Sequence, residues 1–150
     1  MTTVAFDGKT MAADRQMNTG NMKHLAARSK IRAGEYHGMP ALFAGAGTTV
    51  YSDAVIEWLV AGMPDEHKPE MPQTPDCFTV IVATETGVYG YIDSLRPVPL
   101  GQIKWAIGSG GEYAFGAMAA GANAKKAVEI ACAFDVNSGM GVDVLTSRKK

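Results

Sequence analysis

Short apolar and β-branched runs separated by turn signals dominate the start of the chain. Residues 2–6 and 9–13 are two such runs, and they flank Asp7-Gly8, a dipeptide typical of two-residue hairpin turns. The chain is therefore expected to begin inside a sheet. Further extended runs are predicted at residues 25–32 and 40–44 around a turn region at 34–38, at 78–83 and 88–92 around a turn at 85–87, at 103–107 and at 142–145.

Helical periodicity first appears after residue 50. Apolar residues recur at helical spacing between Tyr51 and Val60, with Thr49 or Ser52 as the N-cap and Gly62 followed by Pro64 as the stop. Two more helices are predicted at residues 112–120 and 123–134. Neither a helix nor a strand is expected in the loop between 62 and 77, because it contains four prolines, Pro64, Pro69, Pro72 and Pro75.

This order of elements indicates the fold class. Strands come first, helices lie between later strands, and there is no regular alternation of strand and helix, so the sequence predicts an α+β fold of antiparallel sheets covered by helices. A length of 150 residues suits one domain, 1–150, with a real core.

Composition excludes several function classes. The chain is 47% hydrophobic and 19% charged with a net charge of -1, so no strong field attracts nucleic acid or an anionic membrane. Cys77 and Cys132 have no metal-ligand spacing and are expected to be free thiols, with no metal or cofactor. Because neither a membrane span nor a secretion signal is evident, a cytoplasmic location is expected.

Two glycine-rich segments, 44–47 and 108–111, stand where a strand gives way to a helix. Such junctions expose backbone N–H groups that can hold an anion. Neither segment completes a dinucleotide or phosphate-loop motif, so a small nucleotide-binding α/β domain is kept only as a minor alternative.

The second residue offers a different chemistry. Met1 is followed by a small residue, the usual context for removal of the initiator methionine, which would give Thr2 a free α-amine. That amine has a reference pKa near 8. It can therefore take the proton of the Thr2 hydroxyl at neutral pH, so one residue supplies nucleophile and base. The alternative is that Thr2 is an ordinary strand residue.

Six motifs accompany Thr2 in a recognisable order. They are residues 2–6, residues 13–15 with 19–21, residues 29–31, residues 43–45, residues 107–111 and residues 135–139. In this order they resemble proteasome β subunits and bacterial HslV over nearly the whole chain. The resemblance implies an N-terminal-nucleophile hydrolase fold, an αββα sandwich of two antiparallel sheets flanked by helices.

The resemblance also implies roles for particular residues. Thr2 would be the nucleophile, Lys30 held by Asp14 the cation that eases its loss of a proton, and the Gly45 N–H the oxyanion donor. Ser109, Asp135 and Ser138 would form hydrogen bonds around the Thr2 amine. The residues expected to contact substrate are Met17, Asn18, Arg28, Arg32, Phe43 and Gly47. Each also has a plain interpretation, as an ion pair, a turn or cap residue, or core.

Strand geometry adds one expectation about charge. In an extended strand Arg28, Lys30 and Arg32 would share one face. Their mutual repulsion would lower the pKa of Lys30 and of the Thr2 amine and would favour acidic or polar substrate side chains. Alternatively, one arginine pairs with a carboxylate such as Glu35 or points to solvent.

The sequence departs from the family's pattern in the first hairpin and in the segment after the first helix. The first hairpin is a few residues shorter than in the family, by an even number, which would keep its side-chain alternation. The proline-rich stretch 63–76 stands where a second helix is expected.

The functional prediction is a threonine peptidase or amidohydrolase within a self-compartmentalised homo-oligomeric ring. Its partners would be a peptide or protein substrate and an ATP-driven unfoldase. The alternative is an inactive structural or interaction subunit of the same fold.

Overall fold

The chain forms an α+β structure in the computed structural model, which describes residues 2–101 and 104–147. Its strands are β1 (Thr3–Phe6), β2 (Thr10–Asp14), β3 (Asn18–Thr19), β4 (Met22–Lys23), β5 (Ile31–Tyr36), β6 (Met39–Gly47), β7 (Phe78–Thr84), β8 (Gly87–Ile92), β9 (Val98–Gly101), β10 (Trp105–Gly108) and β11 (Val142–Thr146). Its α-helices are α1 (Thr49–Val60), α2 (Gly111–Ala119) and α3 (Ala124–Phe134). Met1 and the predicted strand residue Ile103 lie outside the described residues.

The strands form two antiparallel sheets and one short ribbon. The first sheet has the order β10-β1-β2-β11, the second has the order β5-β6-β7-β8-β9, and β3 pairs with β4. The register of β1 places Thr3 opposite Gly108 of β10 and Val4 opposite Ala13 of β2. β1 is therefore a central strand, and the start of the chain lies between β10 and β2.

Alternation along the strands divides the apolar residues into layers. Val4 of β1 and Ile81 of β7 belong to a core between the two sheets, whereas Ala5 packs under α2 and α3. Phe43 and Val80 face the other way and pack against α1. Because successive strand residues point to opposite faces, both sheets are buried on two sides. The result is the predicted sandwich of two sheets with helices on both outer faces.

The first hairpin turn differs by one residue from the prediction. Phe6 pairs with Met11, and the Asp7 N–H donates to the Thr10 carbonyl at 3.1 Å, so the two central residues are Gly8-Lys9. The Asp7 carboxylate accepts the N–H groups of Lys9 and Thr10, which places the aspartate before the turn. Gly8 has a φ of 97°, which suits a glycine at the first central position.

The prediction of an extended run at residues 25–32 is wrong for most of its length. β5 begins only at Ile31, and the exposed residues before it form no strand. These residues bury no apolar side chain, and the Arg28 N–H donates to the Arg15 carbonyl instead of a sheet neighbour. The turn that follows is His37-Gly38, both with positive φ, which is the conformation of a type I′ hairpin.

The segment between α1 and β7 contains a single turn of 3₁₀ helix, Asp65–His67. The Trp58 indole N–H donates to the Pro64 carbonyl at 3.0 Å and ties this segment to α1. Helix α1 begins at Thr49 with Thr48 as N-cap, one residue before the earlier of the two predicted caps. The short strands β3, β4 and β9 were not predicted, because two to four residues carry no clear periodicity.

None of the helices in residues 2–101 and 104–147 is long and apolar enough to cross a membrane.

Candidate functional site

Thr2 lies immediately before β1, and only 5% of its surface is exposed. It lines a cleft of about 740 Å³ together with residues from the β3 turn, the end of β6 and the segment before β7. It also lines a small adjoining cavity of about 20 Å³ that contains Lys30 and Gly45. Three residues predicted from separate motifs, Thr2, Lys30 and Gly45, therefore meet at one cavity.

Lys30 and Asp14 form a buried ion pair beside this cavity. Lys30 Nζ lies 2.8 Å from Asp14 Oδ1, and the two side chains are 6% and 0% exposed. The Asp14 carboxylate also accepts backbone N–H groups from Thr3 at 3.0 Å, Gln16 at 3.2 Å and Gly139 at 3.0 Å. These bonds hold the carboxylate in one orientation, so the ammonium group has a fixed place.

Burial sets the protonation tendency of Lys30. Loss of hydration lowers the pKa of the Lys30 amine, and the charge and hydrogen bond of Asp14 act in the opposite direction. The lowered pKa of Lys30 agrees with the expectation from sequence, but the predicted cause, repulsion by Arg28 and Arg32, is wrong.

A second set of hydrogen bonds centres on Asp135. Its Oδ2 accepts the hydroxyl protons of Ser138 at 2.6 Å and Ser109 at 2.7 Å, and its Oδ1 accepts the Asn137 N–H at 3.1 Å. Burial acts to raise the pKa of Asp135, but these donors outweigh it and hold the pKa below its usual value. Asp135 is therefore a carboxylate at neutral pH.

Ser109 connects this set to Thr2. Its Oγ lies 3.4 Å from the Thr2 carbonyl oxygen and 2.7 Å from Asp135 Oδ2. A hydroxyl carries one proton, and the shorter contact goes to a charged acceptor, so the proton points to Asp135. The two predicted serines thus converge on one carboxylate next to the nucleophile candidate.

The backbone of β6 turns the Gly45 N–H toward the small cavity. The Thr48 N–H donates to the Cys77 carbonyl at 2.7 Å, and antiparallel ladder bonds alternate along a strand. Gly45 lies three residues before Thr48, so its N–H points away from β7. On that side the pairing with β5 starts at Ile31, opposite Ala44, and none of the strands that the structure describes continues beside Gly45. The Gly45 N–H therefore faces the cavity that Thr2 and Lys30 line.

Close packing explains two glycines of segment 108–111. A methyl group on Gly108 would overlap the Thr2 carbonyl, and one on Gly110 would overlap Thr3 Oγ1. The segment therefore packs directly against the start of the chain, and this packing accounts for both glycines.

The predicted substrate residues fall into two groups. Met17, Asn18 and Gly47 line the large cleft, and Asn18 is held there because its side-chain N–H donates to Asn137 Oδ1 at 2.9 Å. Phe43 lines neither of the cavities around Thr2; it is fully buried under α1. Gly45 and Phe43 point to the α1 side of the sheet, so the assignment of Phe43 to substrate binding was wrong.

The arginines also differ from the prediction. Arg28 lines the small cavity, but its guanidinium is paired with the Asp53 carboxylate of α1. Arg32 lines a neighbouring pocket with Lys30 and does not line the cavities that contain Thr2. The shared face was not formed because β5 starts at Ile31, and strand alternation does not extend back to Arg28.

Among the residues that the structure describes, the charged side chains that line the large cleft are acidic. Asp76 and Asp93 are the charged residues in its lining. The Asp93 carboxylate accepts N–H groups of Asp76 at 2.7 Å, Cys77 at 2.9 Å and Phe78 at 2.9 Å, so it fixes the segment before β7. Asp76 is exposed in the wall of the cleft.

Sequence reasoning missed two contributors to the site. Asp53 pairs with Arg28 across 25 residues, and only the docking of α1 brings them together. Thr3 bonds to Asp14 and Ser138, and its place next to Thr2 was the available signal. Within residues 2–101 and 104–147, no cluster of three or more His, Cys, Asp or Glu side chains could hold a metal ion.

Comparisons with known proteins identify the fold. No family model and no curated protein matches the sequence. Among solved structures, Thiobacillus denitrificans BPH matches with a TM-score of 0.65 and 22% identity over 96% of both chains. The same protein in complex with epoxomicin matches with a TM-score of 0.68 and 22% identity over 97% of both chains. Eukaryotic HslV from Trypanosoma brucei matches with a TM-score of 0.66 and 21% identity over 97% of both chains. The predicted resemblance is thus confirmed in the fold: this chain has the proteasome-type fold of HslV over nearly its whole length.

Proposed function

We propose that this chain is a threonine peptidase that cleaves amide bonds with Thr2 after Met1 has been removed. One observation carries the proposal. Thr2 lies at the meeting point of a large cleft, the buried Lys30–Asp14 pair and the Asp135 hydrogen-bond set. A nucleophile, a fixed cation and a fixed carboxylate at one cleft are the components that acyl transfer by an N-terminal residue requires.

The first half of the proposed reaction forms an ester on Thr2. The free amine takes the hydroxyl proton, directly or through water, and Oγ attacks the carbonyl carbon of the substrate. The Gly45 N–H, on the open edge of β6, donates to the oxyanion of the tetrahedral intermediate. The C–N bond then breaks, and the leaving amine takes the proton that the Thr2 amine held.

The second half reverses these transfers with water. The Thr2 amine takes a proton from water, the resulting hydroxide attacks the ester, and the acid product leaves as Thr2 Oγ regains a proton. Lys30 favours loss of the hydroxyl proton through its positive charge, and Asp14 keeps that charge in place. Asp135, with Ser109 and Ser138, orients the amine.

The structural neighbours support this choice of chemistry. One of them was determined in complex with epoxomicin, and another is HslV. We therefore take a peptide epoxyketone as the first probe, because its two electrophilic carbons can react with a hydroxyl and a neighbouring amine.

We also propose that the chain assembles into a homo-oligomeric ring that encloses its sites and receives peptides or unfolded proteins from an ATP-driven unfoldase. A ring of HslV type would have a mass many times the 15.8 kDa of one chain. Light scattering after size-exclusion chromatography tests this assembly, and a monomer at micromolar concentration would contradict it.

Substitution of the nucleophile tests the activity itself. Thr2→Ala should abolish hydrolysis of mixed fluorogenic peptides, whereas Thr146→Ala, which removes an exposed hydroxyl on β11, should leave it unchanged. Hydrolysis that survives in Thr2→Ala would exclude the proposed mechanism. Absence of hydrolysis in the wild-type chain, with Met1 retained, would favour the inactive structural subunit.

A further inference from the structure

Thr3 is a buried residue that contacts both the Lys30–Asp14 pair and the Asp135 hydrogen-bond set. None of its surface is exposed. Its backbone N–H donates to Asp14 Oδ1 at 3.0 Å, the oxygen that also pairs with Lys30 Nζ. Its Oγ1 lies 2.7 Å from Ser138 Oγ. Thr3 therefore contacts the Lys30–Asp14 pair through its backbone N–H and the Asp135 hydrogen-bond set through its side chain.

The direction of the hydroxyl contact follows from counting protons. Ser138 Oγ lies 2.6 Å from Asp135 Oδ2, and an ionised carboxylate only accepts. The single proton of Ser138 is used in that bond, so Ser138 accepts the proton of Thr3 Oγ1. The hydrogen bonds run in one direction, from Thr3 through Ser138 to Asp135, and successive bonds in such a chain polarise one another.

We propose that Thr3 is a positioning residue for the reaction of Thr2. Its hydroxyl fixes the Ser138 rotamer and strengthens the bond to Asp135, while its N–H fixes Asp14 and hence Lys30. Because Thr3 directly follows the nucleophile, it holds the Thr2 backbone in register with both groups. This inference rests on the proposed function, since it concerns the same site.

Packing alone does not require the Thr3 hydroxyl. Valine has nearly the shape of threonine and favours strands. Its methyl group needs slightly more room than Oγ1, which lies 2.7 Å from Ser138 Oγ and against Gly110, so Thr3→Ala is measured beside it. Thr3→Val therefore removes one proton donor and leaves the volume nearly constant, whereas Thr3→Ser keeps the donor and removes a methyl group.

The test measures kcat, KM and melting temperature for Thr3→Val, Thr3→Ser and a control, Thr84→Val. The control removes another buried threonine hydroxyl, one that contacts Thr86 Oγ1 at 3.0 Å and the Gly87 carbonyl at 3.1 Å, far from Thr2. Thr3→Val should lower kcat roughly 2- to 10-fold, as expected for the loss of one hydrogen bond between neutral hydroxyl groups, with KM unchanged. Thr3→Ser should retain most of kcat, and Thr84→Val should change only the melting temperature.

A second measurement keeps the proposal testable if Thr3→Val fails to fold. Thr3→Ala removes the same proton, and it is compared with Ser138→Ala and with the double variant. Since the two hydroxyls act in series, the double variant should lose no more kcat than Ser138→Ala alone. Wild-type kcat in a folded Thr3 variant that lacks the hydroxyl, or equal losses in Thr3→Val and Thr3→Ser, would overturn the role of Thr3. An inactive wild-type chain would instead overturn the proposed function and this inference with it.

Discussion

Lys30 Nζ lies 2.8 Å from Asp14 Oδ1 in surroundings that exclude most water from both groups. Desolvation of two charges is costly, and the attraction between them offsets it only where the geometry is good and further hydrogen bonds are present. Three backbone N–H groups supply those bonds to Asp14. The pair is therefore stable as a unit, and removing either partner leaves an uncompensated charge.

Asp14→Asn should destabilise the fold by about 3–5 kcal/mol at neutral pH, the usual cost of breaking a buried pair. Glu129→Gln is the control, because the exposed Lys125–Glu129 pair at 3.9 Å should contribute under about 1 kcal/mol. Chemical denaturation of both variants measures these values. Equal effects of the two substitutions would show that the Lys30–Asp14 pair has no special energetic role.

The Asp14→Asn defect should depend on pH. The pKa of Lys30 is already lowered by burial, and loss of Asp14, which acts to raise it, lowers it further. A lowered pKa means that the charged amine destabilises the fold. This penalty shrinks as the pH rises through the folded-state pKa and disappears only above the ordinary value of 10.5. The stability difference between Asp14→Asn and wild type should therefore shrink between pH 7 and pH 10. A stability difference that stays constant from pH 7 to pH 10 would contradict this coupling between Asp14 and Lys30.

Ser138→Ala should change the stability profile at low pH. The pKa of Asp135 lies below its ordinary value of 3.8, so its contribution is present above pH 3.8 and is lost as the pH falls through the folded-state value. Removing the Ser138 donor raises that pKa and reduces the contribution. The variant should be less stable than wild type at pH 6, with a smaller difference near pH 2. Denaturation at both pH values measures this, and a larger gap at pH 2 would argue against the Asp135 hydrogen-bond set.

Two glycines offer a matched pair of substitutions. Gly110→Ala would place a methyl group onto Thr3 Oγ1, whereas a methyl group on Gly116 of α2 has open space. Gly110→Ala should therefore lower the melting temperature and the rate at which the peptide epoxyketone modifies Thr2. Gly116→Ala should instead stabilise α2 by up to about 1 kcal/mol, because alanine favours a helix more than glycine does. Thermal unfolding and adduct formation measure both effects. Similar behaviour of the two variants would contradict the close packing of segment 108–111 against β1.

The Arg28–Asp53 pair predicts how substrate preference can be changed. Because Asp53 neutralises Arg28 and the charged residues that line the large cleft are acidic, the wild-type chain should not prefer Glu over Gln in matched peptides. Asp53→Asn should raise the Glu/Gln ratio of kcat/KM by about two- to five-fold, as expected for one partly exposed charge. Glu57→Gln, also on α1 but outside the cavities that Thr2 lines, is the control and should not change the ratio. An unchanged ratio in Asp53→Asn would show that Arg28 does not contact substrate.

The parts of the structure that were predictable from sequence depend on local patterns. The helical periods of residues 51–60 and 123–134 predicted α1 and α3 closely. By contrast, the start of β5 is decided by which residues β6 can pair with, and that pairing begins at Ile31, opposite Ala44.

The site itself was predictable only through its resemblance to a known family. Nothing local indicates that Lys30 meets Asp14, because that contact depends on the two sheets lying face to face. Resemblance failed for Phe43, whose side chain points to α1, and strand geometry failed for Arg28, whose partner is on α1. Both side chains are turned to α1, and for Arg28 the strand alternation fails because β5 starts only at Ile31. The single-domain organisation, the ring and the unfoldase partner stay predictions.

The intact mass of the purified chain, measured before and after treatment with a peptide epoxyketone and followed by peptide mapping, tests most directly whether Thr2 is the nucleophile. We expect a chain that lacks Met1 and gains one inhibitor on Thr2, and no such gain in Thr2→Ala. A chain that retains Met1 and gains no inhibitor, or that carries the inhibitor on another residue, would contradict the claim that Thr2 is the nucleophile.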